Sequence, residues 1–215
     1  MSADDEKRIA AEAAAQLVED GMNVGLGTGS TVHYLLPALA ERGLELRCVA
    51  TSVATEEEAK RLGLQIEDFS SIEKLDIAID GADQIDPGRW LVKGGGAAHT
   101  REKIVAATAE RFVVIADSSK PVDEISEPIP LELHAYGLAS TLRRLNGEIG
   151  KVELREDTPP SPDGGVIADY RGKIGDLAEL AASLADFPGV VDHGLFPPEM
   201  VAAVIIGRGD DVERS

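Results

Sequence analysis

The sequence predicts an α/β fold: a doubly wound, Rossmann-like, mostly parallel sheet carrying an inserted smaller ferredoxin-like α+β domain. Three observations predict it. Short apolar runs alternate with amphipathic stretches up to Asp117, the signature of a parallel sheet with crossover helices. The character changes at Pro128-Ile129-Pro130, after which strand and helix patterns follow in the order β-α-β-β-α. A last apolar run, Val201–Ile206, has strand length and can return to the first sheet. The expected division is therefore residues 1–128 plus 198–215 for the α/β domain with the candidate chemistry, and 129–197 for the small α+β domain.

Each element has a local reason. Residues 4–19 form a helix because Ile9, Ala13 and Leu17 share one face and acids occupy the first turn. Asn23–Leu26 is a short apolar strand entering a glycine-rich turn. Residues 30–42 are helical, with Pro37 marking a kink or a nearer boundary. Leu44–Ala50 and Leu75–Asp80 are strands, and Thr55–Leu62 is a helix capped by Thr55. Residues 98–110 are helical, and Phe112–Asp117 is a strongly apolar strand. In the second part, Pro130–His134, Lys151–Arg155 and Gly165–Tyr170 are strands. Tyr136–Asn146 and Gly175–Asp186 are helices, and Pro159, Pro160 and Pro162 mark a loop.

Composition narrows the function classes. Among 215 residues, hydrophobic side chains make up 43%, enough for a real core, but aromatics are 4%, so the core is Ala, Val, Ile and Leu. The 39 acids against 21 lysines and arginines give a net charge of −18, a surface that repels nucleic acid and acidic membranes. The excess serves solubility or adaptation to a salty cytoplasm, where such repulsion is screened. Cys48 is the single cysteine, so no internal disulfide forms, and it sits in an apolar strand, buried and inert. The N-terminus lacks a signal-peptide pattern and no apolar run spans a membrane, which predicts a cytoplasmic protein.

Three segments carry chemistry. Gly25-Leu26-Gly27-Thr28-Gly29-Ser30-Thr31 joins a strand to a helix. Its glycines permit close approach, and the helix N-terminus with Ser30 and Thr31 offers donors to a phosphate. The plainer alternative is a tight turn with Ser30 or Thr31 as helix cap. A dinucleotide fingerprint would need glycine in place of Ser30, and a P-loop would need Gly-Lys-Ser/Thr. Asp80-Gly81-Ala82-Asp83 ends a strand, where paired carboxylates suit proton transfer, sugar hydroxyls or Mg²⁺; an acidic surface turn is the alternative. Lys93-Gly94-Gly95-Gly96 leads through Thr100, a candidate cap, to Glu102 in the first turn of the next helix. That glutamate is a catalytic base or simply an acid favoured by the helix dipole. The dipole and Lys93 lower its pKa, while burial with Asp80 and Asp83 raises it. Lys7 and Lys120 are candidate phosphate contacts, with solvated surface lysines the alternative. The scattered His33, His99, His134 and His193 have no metal-ligand spacing.

Together these motifs resemble the type A ribose-5-phosphate isomerases. The resemblance is carried by GLGTGST at 25–31, DGAD at 80–83, KGGGAAHTREK at 93–103, ADSSK at 116–120 and FPGVVDHGLF at 187–196, and it covers essentially the whole chain. KGGG followed by TREK is its most specific part. It implies interconversion of ribose 5-phosphate and ribulose 5-phosphate in the pentose phosphate pathway, with no metal and no organic cofactor. It also implies a homodimer or homotetramer. By motif position, Glu102 corresponds to the proton acceptor. Thr28, Gly29, Ser30, Thr31, Asp80, Gly81, Ala82, Asp83, Lys93, Gly94, Gly95, Gly96 and Lys120 correspond to substrate-binding positions. The segment Thr51–Thr55 matches only loosely, and His99 stands at a variable position.

The chemistry suits the residues. One carboxylate can carry a proton between C1 and C2 of a sugar through an enediolate, the role expected of Glu102. Lys93 and the glycine N–H groups would stabilise the developing oxyanion. Asp80 and Asp83 would hold hydroxyls and help open the sugar ring. Two other readings compete. A sugar-phosphate sensor would need a DNA-binding helix-turn-helix and a basic surface, where residues 1–22 form an acidic helix. A CoA-transferase-like enzyme would need room for a nucleotide.

Overall fold

The computed structural model describes residues 2–215. In chain order the first elements are α1 (Ala3–Ala15), β1 (Asn23–Leu26), α2 (Ser30–Ala40), β2 (Arg47–Ala50), α3 (Val53–Arg61) and β3 (Ile77–Asp80). Next come β4 (Gln84–Ile85), β5 (Leu91–Val92), α4 (His99–Thr108), β6 (Phe112–Asp117) and β7 (Ile129–Leu133). The rest are α5 (Leu138–Glu148), β8 (Val152–Leu154), β9 (Val166–Tyr170), α6 (Leu177–Ala185), β10 (Val190–His193), β11 (Leu195–Phe196), β12 (Val201–Arg208) and β13 (Asp211–Arg214). They form two compact units. The first comprises residues 2–82, 101–121 and 199–215; the second comprises 83–100 and 122–198. Residues 83–100, 122–128 and 198, expected from sequence in the larger domain, group with the second unit.

The first unit is built on a sheet of order β13-β12-β6-β3-β1-β2. Its pairs are parallel except β12 with β13. A buried cluster in this unit consists, among the described residues, of Ala, Val, Leu, Ile and Cys48, in keeping with the aromatic-poor composition. Ala10, Ala11, Ala14 and Ala15 of α1 are fully buried, small enough to let α1 lie close to its neighbours. Burial pushes the Cys48 thiol up to about 12, so the thiolate nucleophile is suppressed.

The second unit carries an antiparallel sheet of order β10-β7-β9-β8. With α5 and α6 the chain order is β-α-β-β-α-β, the ferredoxin-like unit. Ile129, Leu131 and Leu133 alternate on one face of β7 and pack with Leu145, Ala168, Leu184 and Phe187. A further three-stranded sheet, β11-β5-β4, belongs to the same unit.

Several boundaries differ from expectation. Pro37 lies inside α2 instead of ending it. Helix α3 begins at Val53, and its cap is Ser52, whose hydroxyl accepts from Thr55 N–H. Thr55 has another use, described below. The short strands β4, β5 and β11 were not expected, being two residues each; so short a run has no readable period.

Candidate functional site

In the first unit the chemistry gathers at the carboxyl ends of β1 and β3, paired parallel with Leu26 beside Ile79. Gly27 N–H donates to Ile79 O at 3.0 Å, extending the ladder by one residue. A side chain on Gly27 would lie 1.9 Å from Asp80 Cγ, so glycine is there to let the aspartate pass. Asp80 Oδ1 accepts from Thr28 N–H at 3.1 Å and from Gly81 N–H at 2.7 Å. A ladder of hydroxyls braces the turn from its other side. Thr28 Oγ1 meets Thr51 Oγ1 at 2.8 Å, and Thr55 Oγ1 donates to Gly27 O at 2.9 Å. Sequence reasoning missed Thr51 and Thr55; their signal was a hydroxyl-rich segment after the neighbouring strand.

Gly29, at φ +121°, caps α2, and neither Ser30 nor Thr31 is its cap. The helix starts with no side-chain cap bond and no acid in its first turn. Gly29 and Ser30 are exposed while Thr31 is buried. A first turn with open N–H groups, exposed and without acids, is suited to an anion.

Glu102 is placed by packing. Helix α4 crosses β1 where Gly25 has no side chain; a Cβ there would lie 2.4 Å from Val105 Cγ1. Glu102 precedes Val105 by three residues and so shares its sheet-facing side. Asp80 is 3%, Lys93 3% and Glu102 5% exposed. Charged side chains are almost never so buried without a partner or a task. Thr100, a candidate cap, instead lies inside α4.

Lys120 follows the end of β6, which pairs with β3 on the side away from β1. Its loop is tied down by Glu6 of α1, whose carboxylate accepts from Ser118 N–H at 2.9 Å, Ser118 Oγ at 2.6 Å and Gly209 N–H at 2.8 Å. These bonds, that of Gly209 foremost, lower the Glu6 pKa to about 2. Lys7 pairs with Asp4 at 3.4 Å.

In the second unit, β5 runs into Lys93, whose N–H donates to Gly194 O at 2.8 Å. Its ammonium lies 5.6 Å from the centre of the Phe196 ring, a cation–π distance. Gly94 has φ +108°, and a side chain there would meet His99 Nδ1 at 2.7 Å and Pro130 Cβ at 2.8 Å. His99 is fully buried against this glycine. Asp83 Oδ2 accepts from Gly95 N–H at 2.8 Å. Arg155, which follows β8, donates to Gly94 O at 2.9 Å and Gly95 O at 3.3 Å. Glu132 of β7 is 2% exposed and accepts from Thr100 Oγ1 and from Ser161 Oγ, each at 2.5 Å. Arg155 and Glu132 were not singled out from sequence. A lone acid in the apolar run Ile129–Leu133 was the one readable signal.

The structure thus joins Thr28 directly to Asp80, and Asp83 directly to Gly95. The Asp80–Asp83 motif divides between the units after Ala82, and the Lys93–Glu102 motif divides after Thr100.

Anion-ready backbone, a strand-end aspartate held by backbone N–H groups and a buried glutamate on an α/β sheet define a class: α/β enzymes that move protons on small phosphorylated molecules. Comparison with known proteins makes this particular. Residues 47–211 match the family model for ribose 5-phosphate isomerase A (phosphoriboisomerase A). A ribose-5-phosphate isomerase A of Caulobacter vibrioides is 44% identical over 100% of this chain and 99% of its own. The crystal structure of ribose 5-phosphate isomerase A from Neisseria gonorrhoeae matches with TM-score 0.94 at 32% identity, covering 99% of this chain and 96% of that one. A D-ribose-5-phosphate isomerase in complex with phospho-erythronic acid matches with TM-score 0.93 at 33% identity, over 100% and 99% of the two chains. The chain belongs to the ribose 5-phosphate isomerase A family.

Proposed function

We propose that this chain interconverts ribose 5-phosphate and ribulose 5-phosphate through an enediolate, with Glu102 carrying the proton between C1 and C2. The observation that carries the assignment of the base is the burial of Glu102 on the sheet-facing side of α4, inside the most specific motif of the family resemblance. A positioned base contributes roughly 10²–10⁴ in rate.

The other roles follow the chemistry of each group. Ser30, Thr31 and the opening N–H groups of α2 take the phosphate, with Lys120 as a further cation. Asp80 and Asp83 hold hydroxyls and assist ring opening. Asp80 stays fixed because Thr28 and Gly81 N–H groups hold one of its oxygens. Lys93 and the glycine-loop N–H groups stabilise the oxyanion, at about 3–4 kcal/mol per strong donor. The reaction needs neither metal nor organic cofactor. The protein works in the cytoplasm, in the non-oxidative branch of the pentose phosphate pathway, as a homodimer or homotetramer; equilibrium sedimentation decides between the two.

The direct test incubates the purified protein with ribose 5-phosphate and follows ribulose 5-phosphate, with and without EDTA. Equal turnover in both arms is the expected result. No turnover defeats the reading, and loss with EDTA alone makes the two aspartates metal ligands instead. The net charge of −18 is also proposed to reflect a high-salt interior. Thermal stability then rises with KCl between roughly 0.1 and 3 M, as the Debye length shortens several-fold, and a flat response refutes it.

A further inference from the structure

The Lys93–Gly96 loop is held by a residue that no motif of the sequence marks. Arg155 donates Nε–H to Asp169 Oδ2 at 3.1 Å and Nη2–H to Asp169 Oδ1 at 2.5 Å. Asp169 is buried in β9, itself paired on both sides by β7 and β8. The guanidinium is therefore fixed in a two-point fork on a rigid sheet. Its remaining nitrogen, Nη1, reaches Gly94 O at 2.9 Å and Gly95 O at 3.3 Å.

The planarity of the peptide unit turns these contacts into a directional argument. In a trans peptide the C=O and the following N–H point to opposite sides. The Gly94–Gly95 unit is gripped at both: its carbonyl by Arg155, its N–H by Asp83. In the next unit Arg155 draws the Gly95 carbonyl to itself, which turns the Gly96 N–H the other way. Gly95 and Gly96 are exposed, so this peptide unit lies at the surface. The turn is also one the backbone would not choose: Gly94 stands at φ +108° and Ala97, a residue with a side chain, at φ +61°. Such a conformation persists only where surrounding contacts over-determine it.

We propose that Arg155, locked by Asp169, is a positioning residue of the isomerase reaction: it sets the Lys93–Gly96 loop so that the Gly96 N–H is presented to the substrate oxygen that becomes anionic. This rests on the reading that the loop binds substrate. Neither residue touches substrate; both act through the loop. A three-nitrogen fork is required, because two nitrogens engage Asp169 and the third engages the carbonyls. Lysine cannot do both.

The test is steady-state kinetics on Arg155→Ala, Arg155→Lys and Lys93→Met, with circular dichroism and thermal melts on each. A misplaced donor loop costs on the order of 10²-fold, so Arg155→Ala is expected to lose about 10- to 100-fold in kcat at temperatures where it is fully folded. Guanidinium chloride at tens of millimolar, far below denaturing levels, is expected to restore at least severalfold of that loss without changing the melting temperature. Arg144→Ala, an exposed helix-surface control, is expected to show no loss and no rescue. If Arg155→Ala fails to fold, Arg155→Lys carries the test, with at least a severalfold drop in kcat expected. Wild-type kcat and KM in the folded arginine variants overturn the proposal, as does lost activity that guanidinium leaves unchanged. Wild-type kinetics in Lys93→Met would instead overturn the reading of the loop itself, so the two failures are distinguishable.

Discussion

The two glycine turns of this chain, Gly25–Gly29 and Gly94–Gly96, look alike in sequence and are built by different means. The first ends a strand of a parallel sheet and is braced mainly by neutral partners, the hydroxyls of Thr28, Thr51 and Thr55, together with one carboxylate, Asp80. The second follows a two-residue strand and is braced by charge, with Asp83 on an N–H and Arg155 on two carbonyls. The glycines differ in purpose too. Gly27 is there because Asp80 fills the space a side chain would need, whereas Gly94 is there for its positive φ and the buried His99. A turn at the end of a sheet inherits its position from the ladder and needs only light bracing. A turn that leaves a strand of two residues inherits little from its ladder and is held in one shape by fixed charges.

The comparison is sharpened by substitutions that affect one turn only. The largest effect is expected from Gly27→Ala. The new methyl would overlap Asp80 Cγ at 1.9 Å, forcing aside the carboxylate proposed to hold substrate hydroxyls, so kcat falls by about 10² or more in a ribose 5-phosphate assay. Gly94→Ala comes next: positive φ and contact with Pro130 destabilise the fold by about 1–3 kcal/mol, read as a lower urea midpoint. If instead Gly94→Ala left stability unchanged, the loop would not be the rigid element described. Thr51→Val removes one neutral hydrogen bond from the first turn, worth about 1 kcal/mol. It raises KM severalfold with kcat nearly intact, and an unchanged KM would show that the hydroxyl ladder is ornamental.

The smallest effect concerns acid. Hydrogen bonds lower Glu6 from its usual 4.5 to about 2, so the fold binds its carboxylate form better than the unfolded chain does. That stabilisation is present in full above pH 4.5 and disappears as pH falls toward 2. The melting-temperature gap between wild type and Glu6→Gln should therefore be constant from neutral pH to about 5 and shrink below it. A gap that widened on acidification would contradict the anchor.

How much could be read from sequence follows the same division. Asn23–Leu26 and Phe112–Asp117 are legible to the residue because buried parallel strands are plain apolar runs. The GLGTGST turn and DGAD announce themselves because backbone freedom and strand-end acids have fixed spellings. The supports are illegible for a physical reason. Arg155 lies 61 residues from Gly94 and Glu132 lies 32 from Thr100, so no local pattern couples them. Glu132 sits in an apolar strand and Asp169 in another, where a lone acid signals a buried partner but not its identity. Thr100 shows the limit in miniature: a threonine near a helix start suggests a cap, yet its hydroxyl serves Glu132. Thr55 has the same lesson, since Ser52 takes the cap and frees Thr55 for Gly27 O.

The central claim is that Glu102 carries the proton, and Glu102→Gln tests it most directly, because the amide keeps the shape and removes the base. If Glu102 is the base, kcat for ribose 5-phosphate falls by at least about 10² while the melting temperature changes little. A variant retaining more than about a tenth of wild-type kcat, above what loss of such a base permits, would contradict it.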